Sequence, residues 1–247
     1  MTDERLRELE HQAQGGDAAA ARELALARVR ARGISPERLT LAATLGHPDA
    51  SELVSGSVPA LTPAELFEAA PGWGWRAVTR ALLALALEPH NFRVLAGYSS
   101  RLYRRALVAC LVALEEGDAA SRRAALKAAD VDVPFTYSRW EQSLEGLRAL
   151  CAARAAGTSD LERVWAESLH AALDIGSLGV SWSDERWPLR YTPLATGDEP
   201  SVAERLAAAP EVFERLRGGV AAWALDEPLP IRSGEVEARM DALRQGA

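Results

Sequence analysis

"RLYRRALVACLVALEEGDAASRRAALKAAD", residues 101 to 130, is the stretch whose reading decides the fold class. Its apolar residues return every three to four positions and, in the second half of 101–116, crowd nearly all faces of a coil. The chain then turns at Gly117-Asp118-Ala-Ala and starts a second periodic run, with Asp118 placed to accept a backbone N–H as an N-cap. Segments of this kind are rods that must shelter one another. "WGWRAVTRALLALALE", residues 73 to 88, has the same all-round apolar character, so these two are expected to be the central, most enclosed helices.

Outward from this pair, helix starts recur. Ser138-Arg-Trp-Glu141, Ser159-Asp-Leu-Glu162 and Ser201-Val-Ala-Glu204 fit the capping box, in which a hydroxyl and a glutamate satisfy two backbone N–H groups reciprocally. Thr62-Pro-Ala-Glu65 and Ser35-Pro36 put proline at the first helical position, where its missing N–H costs nothing. Apolar stripes follow, as in Trp140, Leu144, Leu147, Leu150 and Cys151, in Leu161, Val164, Trp165, Leu169 and Ala172, and in Val212, Phe213, Leu216, Val220 and Trp223. Breaks at Gly15-Gly16, Gly33, Gly46-His-Pro48, Pro71-Gly72 and Gly117 leave short connections, which favour antiparallel neighbours. The expectation is an all-α protein, residues 1 to 247 in one body, of about ten to twelve helices stacked as hairpins.

"QAQGGDAAAARELAL" (12–26) and "LEEGDAASRRAALKA" (114–128) both end a helix, turn at Gly-Asp-Ala-Ala and begin another. "GDAAAARELALARVRARG" (16–33) is similar to the helix–turn–helix of Sel1-like and tetratricopeptide proteins, and "LAATLGHPDASELV" (41–54) resembles a HEAT-like helix pair. The resemblance covers the first 55 residues and a piece near 117. It implies a protein-binding scaffold.

The totals restrict the function classes. With 48% hydrophobic residues, 247 residues can bury a sizeable core. The 28 basic residues are 27 Arg and Lys127 alone, a composition that, with the heavy alanine content, fits a GC-rich bacterial genome. A net charge of −7 opposes sequence-independent attraction to phosphate, so nucleic acid is not the expected partner. "MTDERLRELEHQ" lacks the basic start and apolar run of a signal peptide, and the longest apolar runs, 81–87 and 106–114, fall far short of the ~20 residues a bilayer requires. A cytoplasmic protein without membrane contact is expected.

Several constellations bear on catalysis. Gly72-Trp-Gly74-Trp-Arg-Ala77 has the letters of a dinucleotide fingerprint, but it follows a helical segment and carries tryptophan where pyrophosphate needs close approach; a tight turn is the expectation. Cys110 and Cys151 sit among apolar residues and read as buried thiols, and a Cys151–His170 nucleophile and base on consecutive helices is the sharper alternative. His11, His47, His90 and His170 are scattered without metal-ligand spacing. Arg101, Arg104 and Arg105 near one helix start, with Arg122 and Arg123 later, are expected to pair with acids on a neighbouring helix in preference to forming a basic patch.

Residues 176–200 break the helical rhythm. Within "GVSWSDERWPLRYTPLATGDEP" (179–200), Trp182, Trp187 and Tyr191 are too apolar for a solvated linker, and the prolines bar a helix. The expectation is an irregular strap packed across the helices, its rings covering a groove of the bundle; in the alternative reading, which does not exclude the first, Trp182, Arg186, Trp187, Arg190 and Tyr191 form a recognition surface, since these residue types dominate binding hot spots. The favoured function is a non-enzymatic interaction module or scaffold binding another protein, without cofactor or metal. One alternative places a small-molecule or catalytic pocket beneath the 179–200 strap, with His170, Asp184 or Arg186 as its polar groups. Another is an immunity-type partner that neutralises a basic toxin.

Overall fold

A computed structural model of the chain describes residues 3–54, 56, 58–88, 101–130, 140–173 and 200–245. These residues form thirteen α-helices and no strand, so the protein is all-α. The helices are α1 (Asp3–Gln14), α2 (Ala18–Ala31), α3 (Pro36–Thr44), α4 (Pro48–Leu53), α5 (Pro63–Ala69), α6 (Trp75–Ala86) and α7 (Arg101–Glu116). They continue with α8 (Ala119–Ala129), α9 (Trp140–Gly157), α10 (Leu161–Leu173), α11 (Val202–Ala208), α12 (Pro210–Ala224) and α13 (Val236–Gln245). Short 3₁₀ turns precede α6, over Ala70–Trp73, and α13, over Ser233–Glu235. The predicted 176–200 strap falls almost wholly outside the described residues.

The chain divides into two compact units, one of Met1–Leu61 with Val220–Pro228, the other of Thr62–Gly219 with Leu229–Ala247. In the first, α1 packs on α2, α3 on α4, and α2 on α4. One small core joins Leu9, Ala20 and Leu24; another joins Ala42, Ala43 and Ala50 to Ala224 and Leu225, edged by Ile34, Leu39, Val54 and Trp223.

One turn chemistry builds this unit. At the end of α3 the Gly46 N–H bonds the Ala43 carbonyl (2.9 Å) and the His47 N–H reaches back to Ala42 (2.9 Å), a pair of bonds that forces the intervening residue into left-handed backbone, here Gly46 at φ 72°. The same bond pair ends α1 at Gly16 and α2 at Gly33. It also ends α12, where Asp226 N–H bonds Trp223 O (3.0 Å) and Glu227 N–H bonds Ala222 O (2.8 Å). There the left-handed residue is Asp226, at φ 51°, the one non-glycine with positive φ among the described residues. A side chain in that conformation is strained, and a short polar one less so than most. Replacing it by glycine is expected to raise stability by about 0.5–1 kcal/mol, the relief of strain exceeding the added freedom of the unfolded chain, read as a higher urea midpoint at unchanged slope.

The next helix then begins with a side-chain cap. Asp17 Oδ1 accepts from Ala19 N (2.9 Å) and Ala20 N (3.1 Å), as Asp118 Oδ1 accepts from Ser121 N (2.7 Å), so the Gly-Asp-Ala-Ala echo is a helix-stop followed by a helix-start. The Thr62/Glu65 and Ser201/Glu204 boxes both close, and each glutamate, bonded by the backbone N–H of its cap residue, is held below the usual carboxylate range. Ser35 accepts from Arg38 N. The Ser159/Glu162 box is not formed: Asp160 is the cap of α10, its carboxylate accepting from Arg163 N (3.3 Å) and from the Arg163 Nε (2.7 Å). A carboxylate one residue nearer the helix, with an arginine returning onto it, displaces the serine.

In the second unit α9 is the hub, packing against α6, α7, α8 and α10. α6 buries Ala77, Val78, Thr79, Ala81, Leu82, Leu83, Leu85 and Ala86, as expected of a central helix. The centrality of α9 is not evident from hydrophobicity, because its enclosed half is mostly alanine: Ala149, Ala152, Ala153, Ala155 and Ala156 are all buried, beside Leu150 and Cys151. Small side chains bring backbones close. A Cβ on Gly157 would lie 2.4 Å from Leu126 Cβ and 2.5 Å from the Arg122 carbonyl of α8.

Candidate functional site

The two faces of α7 have different fates. Tyr103, Ala106, Leu107, Cys110, Leu111 and Ala113 enter the core. Val108, Ala109 and Val112 are only half-buried and, with Ala124 of α8, floor an open groove of about 710 Å³. Arg104, Val108 and Val112 succeed one another at intervals of four, and Arg105, Ala109 and Val112 at four and three, so all project along one helix face. Ala109 also rests on the Ala113, Ala125 and Ala156 cluster, which makes the floor continuous with the core. The second apolar face noticed in the sequence is therefore a groove lining. Among the described residues α7 is enclosed on one side only.

The opposite wall is Ser233, Gly234 and Glu237. Glu115 fixes it by accepting from the Ser233 backbone N–H (2.8 Å) and hydroxyl (2.6 Å). Arg104 Nη1 spans to Glu237 Oε2 at 2.8 Å, with the arginine side chain 14% and the glutamate 59% exposed. The expected pairing with an acid on a neighbouring helix thus holds for Arg104. Its Nε is buried and without an acceptor among the described residues, and Arg105 beside it is exposed. The rim has two arginines to one glutamate on a chain of net charge −7.

Arg122 pairs with carbonyls, not a carboxylate. Its guanidinium donates to Ala156 O (2.9 Å) and Thr158 O (3.3 Å), capping the end of α9, and lies 4.7 Å over the Trp75 ring. The dinucleotide letters at 72–77 are a turn: the 3₁₀ helix Ala70–Trp73 leads to Gly74 at φ 91°, the N-cap of α6, and Trp75 packs toward the Ala113, Ala125 and Ala156 cluster. No strand feeds it.

Both thiols are buried, and burial pushes each pKa up, that of Cys151 against a hydrogen bond from Ser168. The Cys151–His170 nucleophile therefore has no support: a thiol kept protonated is a poor attacker. No three His, Cys, Asp or Glu side chains converge among the described residues.

Trp182, Arg186, Trp187, Arg190 and Tyr191, the residues singled out for recognition, lie outside the described residues, as do Asp184 and His90. What sequence reasoning missed is the groove, although its signal, a helix too apolar for one buried face, was present in "ALVACLVAL". No helix among the described residues is long and apolar enough to cross a membrane. No family model, curated protein or solved structure matches the chain.

Proposed function

We propose that the protein is a non-enzymatic, cytoplasmic interaction module whose partner is another protein, seated in the α7–α8 groove. The observation that carries this reading is the half-buried Val108, Ala109 and Val112 stripe, an apolar helix face left open to solvent beside two arginines. Such a groove suits the apolar face of an amphipathic helix, with anchors spaced at three and four residues and an acid near Arg105. The basic rim favours an acidic segment and gives no support to a basic toxin as partner. The aromatic residues Trp182, Trp187 and Tyr191 supply a second contact surface in this proposal.

The test is capture from native lysate by the wild type, by Val112→Glu, by Arg105→Glu and by Trp182→Ala/Trp187→Ala, each first shown to fold by circular dichroism and thermal melting. A glutamate facing an apolar partner leaves a desolvated, unpaired charge, so Val112→Glu is expected to weaken capture at least about tenfold. Arg105→Glu is expected to weaken it too, and more at low salt than at high. A folded Val112→Glu that keeps its partner removes the groove from the interface, and a wild-type chain that captures nothing defeats the module reading altogether.

A further inference from the structure

The Val220–Pro228 segment returns to the first unit from far along the chain and is held there by three basic side chains. Arg32 Nη1 donates to the Leu225 carbonyl (3.1 Å). Arg38 donates to the Trp223 carbonyl and lies 5.0 Å over the Trp223 ring. His47 Nε2 meets Glu227 Oε1 at 3.2 Å, with side chains 18% and 34% exposed. The arginines' acceptors are a terminal carbonyl of α12 and that of the residue just past it, the negative end of that helix, where positive charge is favourable; Glu227, three residues past α12, adds a carboxylate. Two of the three are arginines, which keep their charge at every accessible pH. The third is an imidazole.

We propose that His47 is a pH-operated latch on this returning segment, holding Val220–Pro228 against α3 and α4 while the ring carries a proton and slackening it once the ring is neutral. The local geometry leaves the ring to this task. His47 opens α4 without a side-chain capping bond, its own N–H is engaged by Ala42, and its ring meets Glu227 through Nε2, while Nδ1 is buried without a partner among the described residues. Asp49, in the first turn of α4, acts on the ring as a second negative charge, and it lines a cavity of about 60 Å³ together with Arg32 and Glu227. Arg38 of α3 lies on the same carbonyl cluster. The hydrogen bond to Glu227 favours the charged ring, burial opposes it, and the charges of Glu227 and Asp49 favour it; the pKa lies above the ordinary histidine value. A raised folded-state pKa sets the sign. The stabilisation is complete below the unfolded value of about 6.5 and is lost as pH rises through the folded value.

The experiment uses the full chain and two readouts. Ring-resonance titration by NMR, with His47 assigned by its loss in His47→Gln, is expected to place His47 above 6.5 in the wild type and lower in Glu227→Gln. Amide hydrogen exchange, corrected for intrinsic rate, is compared at pH 6 and pH 8.5 for Leu225, Asp226 and Glu227, whose N–H groups close the end of α12. Wild-type protection is expected to fall about two- to five-fold across that interval, the effect of one charge at a helix terminus, while both variants show no such pH dependence. A wild-type His47 titrating at or below 6.5, a flat wild-type protection profile, or a pH dependence that survives in His47→Gln overturns the latch. Should His47→Gln fail to fold, His47 is assigned in the wild type by through-bond correlation to its own backbone, and the titration still decides the matter.

Discussion

Gly219→Ala is expected to destabilise the protein by about 1–3 kcal/mol, whereas Gly218→Ala, one residue earlier in the same helix, is expected to stabilise it by up to about 1 kcal/mol. The two glycines are identical to any rule of helix propensity, and alanine is the better helix former at both. Their surroundings decide the sign. Gly218 is exposed, and a Cβ there would meet nothing within 4 Å. A Cβ on Gly219 would lie 2.5 Å from the Arg80 carbonyl oxygen and 2.8 Å from Ala81 Cα. Both are backbone atoms of α6, so no side chain can swing aside and the helices themselves must part. Urea unfolding of the two single variants in parallel measures this. Effects of the same sign would mean that the α6–α12 approach is looser than described.

Trp165→Ala is expected to cost about 3–5 kcal/mol, a substantial share of the 5–15 kcal/mol that a folded protein commonly holds. Trp165, on α10, is 1% exposed and heads the largest fully enclosed side chains. Its indole N–H also donates to the Phe67 carbonyl at 3.0 Å. That carbonyl has a reason to need a donor from elsewhere: its helical partner four residues on is Pro71, which has no N–H. Trp165→Phe keeps most of the packing but strips the donor, so it is expected to lose about 1–3 kcal/mol. Denaturant unfolding that found Phe as stable as Trp would show the carbonyl to be satisfied by other means.

Where each of these features was legible follows from how far the deciding contacts reach. The helix starts at Ser35, Thr62, Asp118 and Ser201 were legible because a cap is made by residues two or three apart, and the stops at Gly16, Gly33 and Gly46 because left-handed backbone selects glycine within one turn. The stop at Asp226 escaped notice for the same reason, since aspartate carries no such mark. The groove was half legible. "ALVACLVAL" has more apolar faces than one buried seam requires, yet periodicity cannot tell a face that meets the core from one that lines an opening beside Ser233 and Glu237. The centrality of α9 is not visible in the sequence because alanine is much less hydrophobic than leucine or valine while permitting closer packing.

What the sequence by itself determined is the set of rods and their ends: the all-α class, most of the caps and turns, and the buried setting of Cys110 and Cys151. These depend on backbone conformation and side-chain period, which are local. Tertiary structure alone decided that Trp165 supplies the donor Pro71 withholds, that Arg122 closes α9, that Gly219 and not Gly218 must lack a side chain, and that His47 faces Glu227. Each joins residues that chain order holds far apart, and only the packing of one helix on another brings them within a few ångströms.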